Sequence, residues 1–387
     1  MNLAIDGLAL LSPTTGIARY TRELLMQFRD YPGISILIQY GLRWGTQVRD
    51  FPTPGVVVAK NAFKRVIPQS YELIRALRQL SFSMKVRGGR IDIYHAPNFM
   101  PLDFVGPTVI TVHDLSFLRY PETHPAQRVR VMHRRVPKAI AACDYVLVDS
   151  EFVRQEVLDV YGAPPEKVIT TYLGVSERFR PMSVQDTHTV LARHGLTHGK
   201  YVLSVGTLEP RKNLIGTLEA FGRLPRSLQT EYPLALGGMV GWHMERLGAR
   251  LGQLAAGGTV RPLGYVPDVD LPYLYAGARG FIYPSLYEGF GLPVLEALAA
   301  GVPVITSNRA SLREVAGTVA VALEPDDFGG LSEALRKALE QDADDAESRA
   351  RRIAWARSFT WQRCAQQTLA VYRRAIERHR GAAKANG

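Results

Sequence analysis

Short apolar runs alternate along this chain with segments of helical periodicity. The runs at residues 107–114, 144–150 and 201–206 are nearly continuous, which is typical of strands in a parallel sheet covered on both faces. Further strands are predicted at 3–5, 34–40, 56–58, 91–95, 234–238, 260–266, 281–283 and 304–307. Helical segments between them predict an α/β fold built from parallel sheets.

The length of the chain indicates how many domains it forms. The chain has 387 residues, more than one hydrophobic core usually serves, so two domains are expected. A content of 46% hydrophobic and 21% charged residues is typical of a globular protein and excludes a largely disordered chain.

The segment 280–303 carries the strongest local signal. The strand at 281–283 is followed by a turn containing Gly289 and Gly291, and Pro293 suits the first helical position of the helix that runs to residue 300. A helix N-terminus presents unpaired N–H groups and a partial positive charge, which suits a phosphate or another electron-rich oxygen. Two carboxylates frame this terminus, Glu288 in the turn and Glu296 in the helix.

Other polar side chains lie at predicted strand ends, where parallel sheets collect ligands. Arg211 and Lys212 follow the strand at 201–206, and His113 ends the strand at 107–114. His113 has two interpretations, a site residue or a structural histidine paired with its neighbour Asp114. His95 ends the preceding strand and is the weaker candidate.

The spacing of Glu288, seven residues and then Glu296 resembles the signature of retaining nucleotide-sugar glycosyltransferases of family 4, which have the GT-B fold. The resemblance implies two Rossmann-like, doubly wound domains facing a cleft. It places an acceptor-binding domain at 1–180, a nucleotide-sugar-binding domain at 181–359 and a returning helix at 360–380. The alternative is a purely structural role, in which Glu296 only complements the helix dipole and the glycines only make a turn.

The same resemblance implies roles for individual residues. Glu288 and the backbone that follows it would hold the donor sugar, and Glu296 would hold the ribose. Arg211 and Lys212 would neutralise the leaving diphosphate, and His113 would contact the donor sugar near the reaction centre. The remaining implied donor contacts are Gly16 near the diphosphate, Val266 at the nucleobase edge, and Gly289, Phe290, Gly291 and Leu292 around the sugar.

The implied activity is transfer of a hexose to an acceptor hydroxyl with retained anomeric configuration, without a covalent nucleophile. The amino-acid sequences of the motifs are most similar to those of bacterial mannosyl- and rhamnosyltransferases of surface polysaccharide synthesis. A GDP-sugar donor and a glycan or lipid-linked acceptor are therefore expected. Alternatives are a UDP- or dTDP-sugar donor, a GT-B epimerase or phosphorylase, and a basic binding module that kept the fold.

Neither a cofactor nor a metal is expected. Asp268 and Asp270 match the Asp-x-Asp of another glycosyltransferase fold, but they precede a predicted helix and are interpreted as its cap. Cys143 and Cys364 lie far apart, which favours a reduced, cytoplasmic compartment. We expect no signal peptide and no membrane-spanning segment.

The net charge of +11 is the remaining feature. By itself this charge suits nucleic acid, an anionic membrane surface or phosphorylated ligands. With the family resemblance beside it, no nucleic-acid partner is expected. The segment 60–90 interleaves cations with the apolar residues Leu73, Ile74, Leu77, Leu80 and Phe82 at helical spacing. This helix either packs its apolar stripe inside and leaves arginines in water, or docks onto anionic lipid headgroups. For a lipid-linked acceptor, the cations expected to form one basic face on the first domain are Lys60, Lys64, Arg65, Arg75, Arg78, Lys85, Arg87, Arg90, Arg128, Arg130, Arg134, Arg135 and Lys138.

Overall fold

A computed structural model describes residues 1–11, 16–48, 70–239, 255–340 and 346–385. The chain divides into two compact units. Unit 1 comprises Met1–Asp114, Val131–Leu173 and Trp361–Gly387, and unit 2 comprises Leu115–Arg130 and Gly174–Thr360. The chain enters unit 2 first at Leu115 and again at Gly174, and the expected boundary at residue 180 lies slightly beyond the second of these points. The expected strand at 56–58 and the cations Lys60, Lys64 and Arg65 lie outside the described residues.

Unit 1 contains a seven-stranded sheet in the order β3-β2-β1-β4-β5-β6-β7. Its strands are β1 (Asn2–Asp6), β2 (Ser35–Tyr40), β3 (Arg43–Gly45), β4 (Ile93–Ala96), β5 (Thr108–Val112), β6 (Tyr145–Val148) and β7 (Val168–Thr170). All neighbouring pairs are parallel except β2 and β3. The central strands β4 and β5 are buried along their whole length, as their continuous apolar sequences predict.

Unit 2 contains a six-stranded sheet in the order β10-β9-β8-β11-β12-β13. Its strands are β8 (Val202–Val205), β9 (Leu234–Gly237), β10 (Val260–Gly264), β11 (Gly280–Tyr283), β12 (Val304–Ser307) and β13 (Val321–Leu323). Every neighbouring pair is parallel. The prediction of two Rossmann-like parallel sheets is confirmed.

Helices connect the strands in both units. In chain order the described α-helices are α1 (Gly16–Arg29), α2 (Ser70–Gly88), α3 (Ser116–Arg119), α4 (Ala126–Ala142), α5 (Glu151–Tyr161), α6 (Val184–Arg193), α7 (Leu214–Gly222), α8 (Arg226–Glu231), α9 (Leu271–Ala276), α10 (Leu292–Ala299), α11 (Leu312–Ala316), α12 (Phe328–Glu340), α13 (Ala346–Arg357) and α14 (Trp361–Ala385). Short 3-10 turns lie at Leu8–Leu11, Pro121–Thr123, Pro165–Lys167 and Pro210–Lys212.

Local sequence sets several helix ends. Ser150 caps α5 by accepting a hydrogen bond from the Val153 N–H (3.2 Å), and Gly162 ends the helix with a left-handed conformation, φ 58°. Ser183 and Asp186 form a capping box at the start of α6. Such ends can be read from sequence because each depends on residues within one helical turn.

Most of the apolar stripe of α2 faces outward, and the opposite side of the helix packs against unit 1. Arg78 is only 7% exposed, and its Nη2 donates to the Asp6 carboxylate (2.7 Å). Arg75 donates to the Pro101 carbonyl (3.0 Å), and Phe82 is buried. The exposed side chains include the apolar Leu73, Ile74, Leu77, Leu80 and Met84. The interpretation with arginines in water and leucines inside is therefore wrong here, because the buried guanidinium has a carboxylate partner within unit 1.

Candidate active site

The glycine turn lies between β11 and α10, as its sequence indicates. Gly291 precedes α10 with φ 114°, and a Cβ at this position would lie 2.6 Å from Leu312 Cδ2. Both the positive φ and the close approach require glycine. The helix begins at Leu292, one residue before Pro293, which still lies in the first turn, where a missing N–H is tolerated.

Glu288 lies in this turn and is the centre of an ion-pair cluster. Lys212 Nζ lies 2.6 and 2.7 Å from the two carboxylate oxygens, and Arg211 Nη1 lies 3.2 Å from Oε2. Tyr283 donates its hydroxyl to Oε1 (2.9 Å), and Ser285 donates to the same atom (2.6 Å). Only 7% of Glu288 is exposed. The carboxylate therefore exchanges water for five hydrogen bonds from fixed donors.

These contacts determine the charge of Glu288. Burial by itself would raise the pKa of this carboxyl group, but Lys212, Arg211 and the hydrogen bonds from Lys212 and Ser285 outweigh burial. The result is a pKa lowered to about 2. Glu288 is therefore ionised at neutral pH.

Arg211 and Lys212 occupy the 3-10 turn Pro210–Lys212 after β8. Arg211 Nη1 donates to the Tyr287 carbonyl (2.6 Å), and its Nη2 donates to Glu209 Oε1 (2.7 Å). Burial, followed by the neighbouring guanidinium, lowers the pKa of Lys212 despite the two carboxylates. Two cations and two carboxylates thus lie together, so a diphosphate approaching this cluster competes with Glu288 and Glu209 for the cations.

Two polar residues that the sequence analysis did not single out support this cluster. Asn213 adopts φ 52°, and its Nδ2 donates to the Pro284 (3.0 Å) and Pro325 (2.8 Å) carbonyls. Ser311 Oγ lies 2.7 and 2.8 Å from the carbonyl oxygens of Glu288 and Phe290. The sequence contains a signal that could have identified Asn213, because this residue directly follows the Arg-Lys pair. Ser311 gives no such signal, because its contacts span more than twenty residues.

The other residues expected at the donor lie around the same turn or at a nearby strand end. Glu296 is buried within α10. Phe290 is also buried, and its ring packs 5.9 Å from that of Phe359. Val266 follows β10, and its Cγ2 would lie 3.2 Å from a Cβ placed on Gly237 at the end of β9. Unit 2 therefore brings Arg211, Lys212 and Glu288 into contact, and Gly289, Phe290, Gly291, Leu292 and Glu296 share their loop and helix.

His113 lies in unit 1 after β5 and is buried. Its Nδ1 lies 2.7 Å from Asp149 Oδ2, and its Nε2 lies 3.1 Å from the Pro97 carbonyl oxygen. The partner of the imidazole is therefore Asp149 and not the neighbouring Asp114, as the structural interpretation expected. Consecutive residues at a strand end point in different directions, whereas Asp149 follows the adjacent parallel strand β6.

Both ring nitrogens of His113 face acceptors, which favours the doubly protonated imidazolium. Burial by itself would lower the pKa of His113, but the charge and hydrogen bond of Asp149 and the Pro97 carbonyl outweigh burial. The pKa is therefore raised above its ordinary value. The raised pKa of His113 favours the protonated ring, which has no free nitrogen lone pair to accept a proton as a general base.

His95, the weaker candidate, is fully buried in unit 1. Its Nδ1 lies 2.6 Å from the Tyr372 hydroxyl of α14, and its Nε2 lies 2.8 Å from Thr111 Oγ1. Burial, followed by the charge of His113, lowers the pKa of His95 to about 3, so the ring is neutral. The Tyr20 hydroxyl also contacts Thr111 (3.1 Å), and the Tyr20 ring meets that of His113 edge-on at 5.0 Å. His95 thus belongs to a polar network beside His113.

Gly16 is the first residue of α1, and a Cβ added there would meet no atom of the described part of the chain within 4 Å. The residues directly before it, 12–15, lie outside the described ranges.

The expected capping role of Asp270 is wrong. Asp270 precedes α9 but makes no side-chain cap hydrogen bond, because its carboxylate contacts Arg193 Nη2 (3.0 Å) and His194 Nε2 (3.0 Å) of the α6 end. Asp268 accepts a hydrogen bond from Arg178 (2.7 Å). The described residues contain no group of three or more His, Cys, Asp or Glu arranged to hold a metal ion.

Comparison with known proteins covers nearly the whole chain. A family model described as Glycosyltransferase Family 4 matches residues 14–179, and one described as Glycosyl transferases group 1 matches residues 191–359. O-antigen chain mannosyltransferase B of Escherichia coli is 37% identical over 367 residues, which cover 93% of this chain and 96% of the relative. The chain belongs to glycosyltransferase family 4. It is a glycosyltransferase, as the Glu288 and Glu296 spacing predicted.

Solved structures identify the fold of this glycosyltransferase. Sucrose-phosphate synthase from Thermosynechococcus elongatus matches with a TM-score of 0.75 and 16% identity, covering 97% of this chain and 99% of that one. HepE of Anabaena, solved in complex with UDP-glucose, matches with a TM-score of 0.71 and 16% identity, covering 96% and 100%. These matches confirm the GT-B fold. Among the described helices, none has both the length and the apolar character needed to cross a bilayer.

Proposed function

We propose that this glycosyltransferase transfers mannose, or a rhamnose, from a GDP-sugar to an acceptor hydroxyl in a bacterial surface polysaccharide or glycolipid. The observation that carries the proposal is the near full-length similarity to the O-antigen chain mannosyltransferase of E. coli. The acceptor is a glycan or lipid-linked glycan, and the enzyme works in the cytoplasm at the anionic inner face of the membrane.

The unit 2 cluster supports a division of roles at the donor. Lys212 and Arg211 are the cations for the diphosphate, and the backbone N–H groups of the glycine turn face the sugar. Glu288 keeps its charge and, as an acceptor, binds sugar hydroxyls once the diphosphate draws Lys212 toward itself. Glu296, which is buried one turn into α10, binds the ribose.

The reaction in this proposal retains the anomeric configuration. The acceptor attacks on the face from which the diphosphate leaves, and a departing phosphate oxygen takes the acceptor proton. Lys212 and Arg211 stabilise the negative charge that develops on the diphosphate. Because these cations already lie at the strand end, the proposal needs no metal ion for the leaving group.

A donor panel tests this function. The protein is incubated with GDP-mannose, GDP-rhamnose, UDP-glucose or dTDP-rhamnose and a mannose-terminated acceptor glycan, and the product is analysed by proton NMR. We expect transfer from a GDP-sugar and an α-linked product, the configuration of the donor. Transfer only from UDP- or dTDP-sugars would contradict the donor assignment, and an inverted product would contradict retention. Sugar 1-phosphate formed from the glycan when inorganic phosphate is added would indicate the phosphorylase alternative, and an epimerised nucleotide sugar would indicate the epimerase alternative.

A further inference from the structure

One side of α2 presents a continuous apolar surface to solvent. We call Leu73, Ile74, Leu77, Leu80 and Met84 the α2 apolar face. These side chains are 44–63% exposed. Their spacing of three and four residues places Leu73, Leu77, Leu80 and Met84 along one side of the helix. The face thus runs along most of α2 and is more than a few scattered surface residues.

Contacts on the other side of α2 fix this orientation. Arg78 forms its buried ion pair with Asp6, and the Arg78 carbonyl accepts a hydrogen bond from Gln39 Nε2 (3.1 Å). Gln79 and the Asp103 backbone exchange two hydrogen bonds, of 2.9 and 2.8 Å. Rotating the helix to bury its leucines would break the buried pair and leave a charge unpaired, which is strongly unfavourable.

The concentration of exposed apolar side chains is peculiar to α2 among the described helices. Each of the others carries at most one large hydrophobic side chain that is exposed, such as Met26 on α1 or Val184 on α6. Single exposed apolar residues need no explanation, but a contiguous patch marks a surface that another apolar phase covers.

Cations border the α2 apolar face. Lys85 and Arg87 lie in the last turn of α2, and all three side chains of Lys85, Arg87 and Arg90 are exposed. On the neighbouring hairpin, Leu42 is 55% exposed and is joined to α2 by a hydrogen bond from Ser81 Oγ to its carbonyl (3.0 Å). Apolar residues bordered by cations match the boundary between acyl chains and anionic headgroups.

We propose that the α2 apolar face inserts into the interfacial layer of a bilayer containing anionic lipid, and that Lys85, Arg87 and Arg90 contact the headgroups. This inference deepens the proposed location at the membrane and rests on that part of the proposed function. It differs from purely electrostatic docking, because the buried Arg78 does not face the lipid and the apolar side chains do.

Vesicle sedimentation tests the proposal. The full chain is mixed with vesicles of phosphatidylglycerol and phosphatidylethanolamine, or of phosphatidylcholine alone. We expect binding to the anionic vesicles, part of which persists at high salt because the apolar contribution is not screened. The triple variant Leu73→Ser, Leu77→Ser, Leu80→Ser should lower the partition coefficient about tenfold or more. A matched control, Val160→Ser with Val184→Ser, removes exposed apolar residues elsewhere and should bind as wild type does.

A fluorescent probe tests insertion directly. Leu77→Cys is labelled with a nitrobenzoxadiazole group, and the native thiols should not compete, because both are buried and burial raises the pKa of Cys143 to about 12. On anionic vesicles the label should shift to the blue and be quenched by a nitroxide on the lipid acyl chain. The same label at Val184→Cys should respond to neither.

Three outcomes overturn the proposal: no vesicle binding by the wild type, binding unchanged in the triple serine variant, or a Leu77 label that stays unquenched. A wild-type dimer that becomes monomeric in the serine variant, without vesicle binding, would assign the face to a second copy. Sugar transfer to a soluble acceptor without vesicles separates the two proposals. Loss of that transfer in the wild type contradicts the proposed function, whereas unchanged transfer in the serine variant shows that only docking was altered.

Discussion

Lys212 and Glu288 form a bidentate ion pair, in which one ammonium nitrogen lies 2.6 and 2.7 Å from the two oxygens of the carboxylate. Lys212 lies in the loop after β8 and Glu288 in the turn after β11, and these two strands are parallel neighbours in the sheet. The pair joins a residue proposed to bind the donor diphosphate to one proposed to bind the donor sugar. Changes to this ion pair are therefore expected to alter donor binding, the stability of unit 2 and the pH dependence of that stability.

Removing the Lys212 charge should reduce sugar transfer far more than folding. We expect Lys212→Ala to lower kcat by roughly 100- to 1,000-fold, since a fixed donor for developing negative charge is lost. Steady-state kinetics and circular dichroism measure the two effects. Lys200→Ala is the matched control, because Lys200 forms an ion pair of the same length with Glu231 but is half exposed. Near-normal turnover in folded Lys212→Ala would refute this assignment.

Neutralising Glu288 should separate nucleotide binding from turnover. In Glu288→Gln the cations Lys212 and Arg211 lose a competing carboxylate, so GDP should bind at least as tightly as it does to the wild type. Transfer should fall, because the charged acceptor for sugar hydroxyls is gone. Isothermal calorimetry and kinetics test both effects. Markedly weaker GDP binding would show that Glu288 supports the nucleotide itself.

The same carboxylate predicts a loss of stability in acid. The pKa of Glu288 is about 2 in the folded protein, below the ordinary value of 4.5. Its ionised form therefore contributes stability above about pH 4.5, and this contribution, up to about 3 kcal/mol, is lost as the pH falls toward 2. Denaturant unfolding between pH 5 and 3 should show a shallower decline for Glu288→Gln. The exposed control Glu333→Gln should follow the wild type.

Asp149 should hold the proton on His113. The raised pKa means that protonated His113 contributes stability below its ordinary value near 6.5, and that this contribution is lost as the pH rises through the folded pKa. In Asp149→Asn the effect of burial remains without the carboxylate, so the pKa of His113 should fall below the ordinary value. Histidine NMR titration, assigned with His113→Gln, measures the change. Asp114→Asn is the control, and an equal shift in that variant would argue against the specific pair.

Chelation should leave the transfer rate nearly unchanged. Arg211 and Lys212 are proposed to meet the donor charge, while Asp268 and Asp270 are engaged by Arg178, Arg193 and His194. Initial rates with and without EDTA provide the measurement. Activity that disappears with EDTA and returns with magnesium or manganese would require a metal in the reaction and would reject this prediction.

Much of the fold could be predicted from local sequence. Continuous apolar runs identified β1, β5, β8 and β11 because a strand buried on both faces leaves few positions for polar residues. The turn at 288–291 and the helix after it were also readable, since glycine conformation and helix starts depend on adjacent residues. Candidate residues at strand ends followed from the general property of parallel sheets.

Local sequence therefore predicts the order of most strands and helices, the glycine turn and the family to which the motifs belong. It does not predict the short edge-region strands β3, β7 and β13. Contacts between distant parts of the chain pair His113 with Asp149, place Ser311 against the carbonyls of the Glu288 turn, and bury Arg78 while α2 exposes leucines. Periodicity shows that a helix has two faces, but not which one points inward. That choice depends on a partner distant in the chain, here Asp6, whose carboxylate makes burial of the Arg78 guanidinium favourable.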